Sequence, residues 1–379
     1  MHFFTFADKD ATLYEVSRSM NSGLDEILEV RKDVSDTGAV INTSRIVIRF
    51  DLTEISKSIQ DGRLGGSVPR FYLNLFDAKP TSLATSQSLY AYPVSQSWTM
   101  GDGRSYDNPV VEEGCSWQYR FGETDGTLWG PTYSGSNTVS ASGGAWISGS
   151  GNEGRVNFDH KSSDLRMDVT DIVDKWLSGS YTNHGFMIKR SGSVGNTDSN
   201  TDEGSTTKLG NFSFFSSDTH TKYPPTLETV WYDSKWEQGT LELLSKTDIE
   251  DMVIYMKGLR EEYKENSKAK FRVVGRARFP DASYSTTPSN LTVKSLPSGS
   301  SFYSIRDAET NDVIVPFSTS SLLSCDSSGN YFNLDLEGYQ PERYYSLAFR
   351  IQSGSNTVDE TDQFFEDDFT FKVTNIAEV

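Results

Sequence analysis

The chain has 379 residues, a length that suggests two or three domains. Aromatic residues make up 12% of it, which disfavours intrinsic disorder and allows sizeable cores. The formal net charge of −18 argues against nucleic-acid binding through the whole surface, since so negative a surface repels a phosphate backbone. No apolar run approaches the roughly 20 residues of a membrane span, and no basic leader with an apolar region opens the sequence. We therefore expect synthesis in a cytoplasm without export by the usual signal.

The N-terminal half of the sequence alternates apolar and polar residues in short segments. Ile46, Ile48 and Phe50, for example, fall on one side of an extended segment. By this pattern, strands are predicted at Ser44–Leu52, Arg70–Phe76, Ser88–Val94, Gly185–Lys189, Asn211–Phe215 and Thr226–Tyr232. Two long loops, Ser134–Gly154 and Ser191–Thr207, lie between them. Regular strands with long loops favour an antiparallel β-sandwich of the jelly-roll type.

One short helix interrupts these strands. Apolar residues alternate at period two from 165 to 169 and then recur at helical spacing from 172 to 177. Thr170 is the expected N-cap of this helix and Gly179 its expected C-terminal stop. A single capped helix in a strand-rich chain is a feature of the fold and indicates no catalytic chemistry.

A change in sequence character near Ser234–Gly239 predicts a boundary between one β-sandwich over 1–235 and a second over 236–379. The segment Asp248–Lys264 is compatible with a helix or a strand, and Gly258 favours the strand. The strands predicted after the boundary are Met252–Met256, Lys270–Phe279, Ser301–Arg306, Val313–Phe317, Tyr331–Leu336, Tyr344–Ile351 and Asp368–Val373. Seven strands suit an immunoglobulin-like sandwich, so the whole chain is predicted to be all-β.

Residues from about 10 to 233 resemble the DNRLRE-type domain, a β-sandwich similar to carbohydrate-binding modules. The matching segments are, in chain order, Asn21–Gly23, Leu28–Val30, Ser44–Leu52, Phe71–Phe76, Ser95–Trp98, Asp168–Trp176, Asn183–Phe186, Phe214–Ser217 and Pro225–Glu228. Such domains are non-enzymatic surface modules of cell-surface proteins and of virion proteins of tailed bacteriophages. The resemblance implies a role of that kind.

The C-terminal part is similar to immunoglobulin-like parts of marine phage structural proteins. The similar segments are Phe302–Asp307, Val313–Phe317, Leu323–Phe332 and Pro341–Tyr345. An acidic double sandwich without an export signal fits assembly into a virion better than secretion.

Motifs of common catalytic and metal centres are missing from the sequence. The four histidines show no metal-ligand spacing, and neither a nucleophile elbow nor a phosphate-binding loop occurs. The two cysteines, Cys115 and Cys325, lie far apart in the sequence. We expect them to be buried, unpaired side chains rather than parts of a disulfide framework or a zinc site.

Two loops combine glycines with side-chain oxygens in a way that calcium can use. They are Gly101–Asn108, with Asp102 and Asp107, and Asn196–Gly204, with Asp198 and Asp202. Calcium takes roughly 6–8 oxygen ligands, often from such loops, although neither loop follows the EF-hand register. Calcium at one of them is therefore a hypothesis, and solvated turns are the alternative. We expect no other cofactor.

Four tryptophans in or near the loops, Trp98, Trp117, Trp129 and Trp146, are candidates for ligand or interface contacts. Exposed rings can stack on sugars, and tryptophan is favoured at protein interfaces. The alternative is that the four rings hold the long loops against the sandwich. Trp176, which falls at helical spacing, is expected in the core.

Two functional hypotheses of different kinds follow. The leading one is a non-enzymatic structural protein in the virion of a tailed bacteriophage, placed in the neck, tail, fibre or capsid surface. Its partners would be copies of itself and other virion proteins. The alternative is a carbohydrate-binding module for a host surface glycan. An enzyme is the least favoured class, because no catalytic constellation is recognisable in the sequence.

Overall fold

A computed structural model gives the fold. It describes the whole chain except residues 36–40, 63, 65–67, 80–82, 84–85, 131, 135–136, 140–141, 160–163, 193–200, 245–251, 280–292, 353–361 and 376–379. The chain divides into two compact units. The N-terminal unit comprises Thr5–Asp61 and Arg70–Thr229, and the C-terminal unit comprises Met1–Phe4, Gly62–Pro69 and Val230–Val379. The main boundary lies shortly before the predicted one, and the two short segments that join the C-terminal unit were not foreseen.

Strands dominate the described residues of both units, which confirms the all-β prediction. Strand β1 (His2–Tyr14) starts in the C-terminal unit and continues in the N-terminal unit. The next strands are β2 (Ile27–Val34), β3 (Ile41–Phe50), β4 (Arg70–Leu75), β5 (Ser86–Pro93), β6 (Thr132–Ser134), β7 (Asn137–Val139), β8 (Ile147–Ser148), β9 (Gly154–Asp159), β10 (Leu165–Asp168), β11 (Phe186–Lys189), β12 (Gly210–Phe215) and β13 (Thr226–Val230). The helices are α1 (Thr53–Gln60), α2 (Gly122–Asp125) and α3 (Thr170–Leu177).

The C-terminal unit holds the remaining strands, and every strand predicted from the sequence has a counterpart in the structure. They are β14 (Met252–Lys257), β15 (Glu262–Lys264), β16 (Lys268–Ala277), β17 (Ser301–Asp307), β18 (Val313–Val315), β19 (Ser324–Asp326), β20 (Gly329–Asp335), β21 (Arg343–Ile351), β22 (Gln363–Phe365) and β23 (Thr370–Thr374). The described part of the ambiguous segment Asp248–Lys264 contains β14 and β15, in agreement with the prediction of a strand rather than a helix. Among the longer elements, the sequence patterns missed β1, β2 and α1.

The main sheet of the N-terminal unit has the strand order β10-β4-β13-β1-β3-β11-β5-β9, and β2 joins β3 to β12. The two end strands come close to each other at Gly154. A Cβ atom there would stand 2.8 Å from the sulfur of Met167 and 2.9 Å from the carbonyl oxygen of Asp168. Only glycine permits this approach, which lets the curved sheet bring its ends together.

Strand β3 is buried on both of its faces. On one face, Phe50 lies 6.2 Å from Phe186 between ring centroids, and Trp176 of α3 lies 4.6 Å from the same Phe186 ring. On the other face, Arg45 and Val47 have no exposed surface. The sequence alternation predicted one buried face, so a second buried layer on this sheet is a finding of the structure.

Helix α3 begins one residue earlier than predicted. Its N-cap is Val169 rather than Thr170, and no side chain caps it there. The carboxylate of Asp168 instead accepts the N–H of Thr170 at 3.0 Å, which places a negative charge at the positive end of the helix. Gly179, with φ of +75°, follows the last turn, as the predicted stop requires.

The C-terminal unit contains two sheets, ordered β14-β16-β20-β19 and β15-β23-β21-β17-β18, with β22 beside β21. Aromatic rings fill the core, where Phe332 lies 4.2 Å from Tyr303 and 5.1 Å from Phe271. The predicted turn at 326–330 joins β19 to β20, and Asp326 accepts the N–H of Ser328 within it. None of the helices in the described part of the chain has the length and apolar character that a membrane crossing requires.

Strand β1 carries a buried carboxylate, Asp10, with no exposed surface. Its Oδ2 accepts the N–H of Ser217 at 2.7 Å, and its Oδ1 has no hydrogen-bond partner among the described residues. Burial raises the pKa of Asp10 to about 7, and the charge of Asp218 acts in the same direction. The folded state therefore holds this proton more tightly than the unfolded state, so the contribution of Asp10 to stability falls as pH rises from about 4 to about 7.

We expect the substitution Asp10→Asn to raise the free energy of unfolding at pH 8 by on the order of 2 kcal/mol, because it removes a buried charge. The gain should be much smaller at pH 4.5, where the native carboxyl group is protonated. Urea denaturation at both pH values measures the difference. Asp102→Asn, at an exposed position, is the matched control. A variant that is equally or less stable than the native chain at pH 8 contradicts this account.

Candidate functional site: the tryptophan layer

The four candidate tryptophans are buried in one cluster on the second face of the main sheet. Their exposed fractions lie between 1% and 4%. Pairing of the strands sets Ala11 opposite Val47 and Val47 opposite Met187, so these side chains share the face that the tryptophans cover. We call this cluster the tryptophan layer. It consists of Ala11, Leu13, Val47, Val94, Trp98, Cys115, Trp117, Trp129, Ala145, Trp146 and Met187.

Hydrogen bonds fix the loops of the tryptophan layer in place. Trp98 Nε1 donates to the carbonyl of His184, and Trp129 Nε1 donates to the carbonyl of Ser116, both at 2.8 Å. Gly143 and Gly144 have positive φ, and a Cβ on them would collide with Arg45 and Met187 respectively. The loop therefore reaches the sheet with its backbone, as only glycine allows.

The burial of the rings bears on the predicted ligand role. Stacking on a sugar requires an exposed ring face, and none of the four rings presents one in this structure. The arrangement corresponds to the alternative reading of the sequence, in which the tryptophans hold the long loops against the sandwich. Trp176 lies in the core, as expected.

A group of charged residues without exposed surface lies against the tryptophan layer. Glu203 receives two hydrogen bonds from Arg45, at 3.1 and 2.7 Å, and pairs with Lys189 at 3.1 Å. Lys32 donates to the backbone carbonyl of Glu203 at 2.5 Å. We call Arg45, Lys189, Lys32 and Glu203 the Glu203 cluster. It ties β2, β3 and β11 to the loop that carries Glu203.

The cations of the Glu203 cluster also contact the indole rings. The guanidinium of Arg45 lies 4.7 Å from the centroid of Trp117 and 5.0 Å from that of Trp146, and Lys189 Nζ lies 5.0 Å from Trp146. Ring faces attract cations, so each cation is held between a carboxylate and an aromatic surface.

The pKa values inside the cluster reflect this arrangement. Burial lowers the pKa of Lys189 to about 8, although Glu203 acts in the opposite direction. Burial would raise the pKa of Glu203, but Arg45 and Lys189 hold it below its ordinary value. Glu203 therefore stays ionised and compensates two buried cations at once, which is a structural role.

Sequence reasoning did not identify the Glu203 cluster. Arg45 and Lys189 did leave a signal, because each directly adjoins a run of three apolar residues in a predicted strand, 46–48 and 186–188 respectively. Glu203 left none, since it lies in a polar loop with two other acidic residues, Asp198 and Asp202. Its role depends on which strands that loop meets in the fold.

The predicted calcium loop Gly101–Asn108 wraps around the buried side chain of Asn21. Asn21 Nδ2 donates to the carbonyls of Met100 and Cys115 at 2.7 and 2.8 Å, and its Oδ1 accepts the N–H of Gly103. A Cβ at Gly101 would collide with Asn21. The contact with Asn21 therefore accounts for a glycine at this position, and no metal ion is needed to explain it. The loop's own carboxylates are placed differently: Asp107 accepts the N–H of Arg104 at 2.8 Å, and Asp102 is exposed.

In the second predicted calcium loop, Asp198 lies outside the described residues. Asp202 is half-buried beside Glu203, and its backbone N–H donates to Ser191 Oγ at 3.0 Å. Within the described ranges, no three His, Cys, Asp or Glu side chains gather in a way that could hold a metal ion. The calcium sites stay predictions.

The remaining candidate residues are scattered. Cys115 and Cys325 are buried and unpaired, as expected. His2 contacts Ser320 Oγ at 2.9 Å, and His220 lies 3.7 Å from Glu26. His184 belongs to the turn before β11, and His160 lies outside the described residues.

We expect Glu203→Gln to lower the free energy of unfolding by about 3–5 kcal/mol. The amide has no charge to compensate Arg45 and Lys189, and its NH2 group would face another donor. Chemical denaturation measures the loss, and Glu54→Gln on the exposed side of α1 is the matched control. A loss below about 1 kcal/mol would show that the cluster does not hold the loop.

The calcium hypothesis is tested by thermal melting in EDTA and in millimolar calcium. A bound ion stabilises only the folded state, so calcium should raise the melting temperature. Asp107→Asn should reduce that rise if the ion lies in Gly101–Asn108. An unchanged melting temperature in calcium argues against both loops.

Comparisons with known proteins add no assignment. No protein-family model matches this chain, and a comparison with curated proteins finds no match either. The resemblance to DNRLRE-type domains therefore stays a prediction that rests on the sequence motifs alone.

Proposed function

We propose that the chain is a non-enzymatic structural protein in the virion of a tailed bacteriophage, made in the host cytoplasm and acting by assembly. Its partners would be copies of itself and other virion proteins, in the neck, the tail, a fibre or the capsid surface. The resemblance of its motifs to phage virion proteins suggested this role. The contacts of the N-terminal unit add physical support.

The burial of the tryptophan layer is the observation that carries the proposal. Long loops on a β-sandwich often bear binding residues. Here the loops that contain Trp98, Trp117 and Trp129 instead close over one face of the main sheet. The Glu203 cluster anchors the neighbouring loop, which carries Glu203. The result is a sheet covered on both faces. A body of fixed shape suits repeated contacts of identical geometry, which symmetric assemblies require.

The carbohydrate-binding alternative receives less support from these contacts. Its candidate rings are buried, and three of them are covered by cations: Lys9 Nζ lies 4.2 Å from the Trp98 ring, Arg45 lies over Trp117, and Arg45 and Lys189 lie over Trp146. A sugar could reach these faces only after the loops had opened. A glycan array tests this alternative. If the folded chain binds a neutral glycan on the array, the carbohydrate-binding role is favoured over the assembly role.

The proposal is tested in purified particles of the phage that encodes the chain. We expect quantitative mass spectrometry to detect the protein in a fixed ratio to the major capsid protein, because assembly sites repeat with the symmetry of the particle. A nonstructural protein from the same infection serves as the control for contamination. Absence of the chain from the particles, or a ratio that falls with further purification, would refute the proposal.

A further inference from the structure

A group of basic side chains lies at one border of the tryptophan layer. Lys9 of β1 and Arg49 of β3 stand directly opposite each other across the strand pair. Like charges in this position repel, so each cation needs compensation. Arg49 receives it from a two-point ion pair with Asp8. Lys9 Nζ donates to the carbonyl of Trp98 at 2.5 Å and lies over its ring.

Arg120 and His184 lie beside them. Arg120 donates to the carbonyl of Ser97 at 3.0 Å, next to Trp98, and its guanidinium stacks on Phe121 at 4.3 Å. His184 is tied to Trp98 through its carbonyl. We call Lys9, Arg49 and Arg120 the basic patch. Burial, with the charges of these three residues, lowers the pKa of His184, so this neighbouring ring adds no positive charge to the patch at neutral pH.

The surroundings of the basic patch favour a protein partner over a sugar. The Trp98 ring and Phe121 already carry cations on their faces, so they offer no platform for stacking. Leu128, which is 50% exposed, forms an isolated antiparallel β-bridge with Tyr119, and Tyr119 directly precedes Arg120 in the chain. Arginine, tyrosine and exposed apolar side chains in one place are typical of protein interfaces.

The same chain carries a surface of opposite charge. Glu366, Asp367 and Asp368 are the only three consecutive acidic residues in the sequence, and all three are exposed between β22 and β23. Glu366 is held by Arg306 at 3.1 Å. Phe364, 49% exposed, lies just before this segment. We call 364–368 the acidic turn.

We propose that the basic patch of one copy binds the acidic turn of a second copy. The inference rests on the proposed assembly function and names one of its contacts. Such a contact joins two different surfaces, so each copy keeps one free patch and one free turn, and the assembly grows into a ring or a filament. Opposite charges would steer the encounter, and the apolar residues beside them would bury area in the contact.

Charge reversal in the full-length chain tests the contact by sedimentation velocity at low ionic strength. Lys9→Glu with Arg120→Glu reverses the patch, and Asp367→Lys with Asp368→Lys reverses the turn. Each pair alone should weaken self-association by about tenfold or more. A mixture of the two variants, or one chain with all four changes, should restore association, and 0.5 M salt should weaken it in the native chain.

Matched controls are Arg155→Glu, another cation stacked on an aromatic ring, and Glu261→Lys with Glu262→Lys, another pair of exposed acidic residues. Neither should change association. Circular dichroism shows whether Lys9→Glu disturbs folding. If it does, Arg120→Glu alone replaces the double variant of the patch in the test.

The inference is overturned if the native chain stays monomeric up to high concentration, or if reversal leaves association unchanged. Binding of a sulfated polysaccharide that Arg120→Glu abolishes, with no self-association, would assign the patch to an acidic glycan instead. Normal incorporation of each charge-reversed variant into phage particles would also overturn the proposed contact. The proposed virion role would stand in that case.

Discussion

The contact on which the N-terminal unit most depends is the pairing of one buried carboxylate, Glu203, with Arg45 and Lys189. Buried charges are costly unless they are paired and hydrogen-bonded. Here the two cations arise on adjacent strands of one sheet, and the anion comes from a distant loop. Folding of that loop onto the sheet is therefore required for the charges of β3 and β11 to be tolerated, and the indole rings above them complete the enclosure.

Charge is used in two distinct ways in this acidic chain. Inside the N-terminal unit, cations outnumber anions around Glu203 and are satisfied by carbonyl oxygens and aromatic faces. Asp10 is the opposite case, a buried carboxylate with one unpartnered oxygen that is relieved by binding a proton. At the surface, the cations of the basic patch lie together in a chain whose net charge is −18. Under the proposed contact, these cations would direct the association of copies, which a uniformly negative surface would oppose.

The double coverage of the main sheet connects the packing with the proposed role. A sheet with one free face can offer that face to ligands, whereas this sheet uses its second face to bury four tryptophans. Most of what remains for recognition is therefore edges, loop borders and turns. The basic patch at the border of the tryptophan layer and the acidic turn of the C-terminal unit are surfaces of this kind, which suits contacts between rigid bodies.

The sequence by itself determined the all-β class, the positions of about half of the strands and the short helix α3, because these follow from local periodicity and turn residues. It did not determine β1, whose apolar alternation is broken by the charged residues 8–10, nor the burial of the loop tryptophans. The Glu203 cluster, the patch formed by Lys9 and Arg120, and the role of Asn21 in holding 100–115 join residues that are distant in the chain. Only tertiary structure decides such pairs, since strand register and loop closure, rather than local sequence, set which side chains meet.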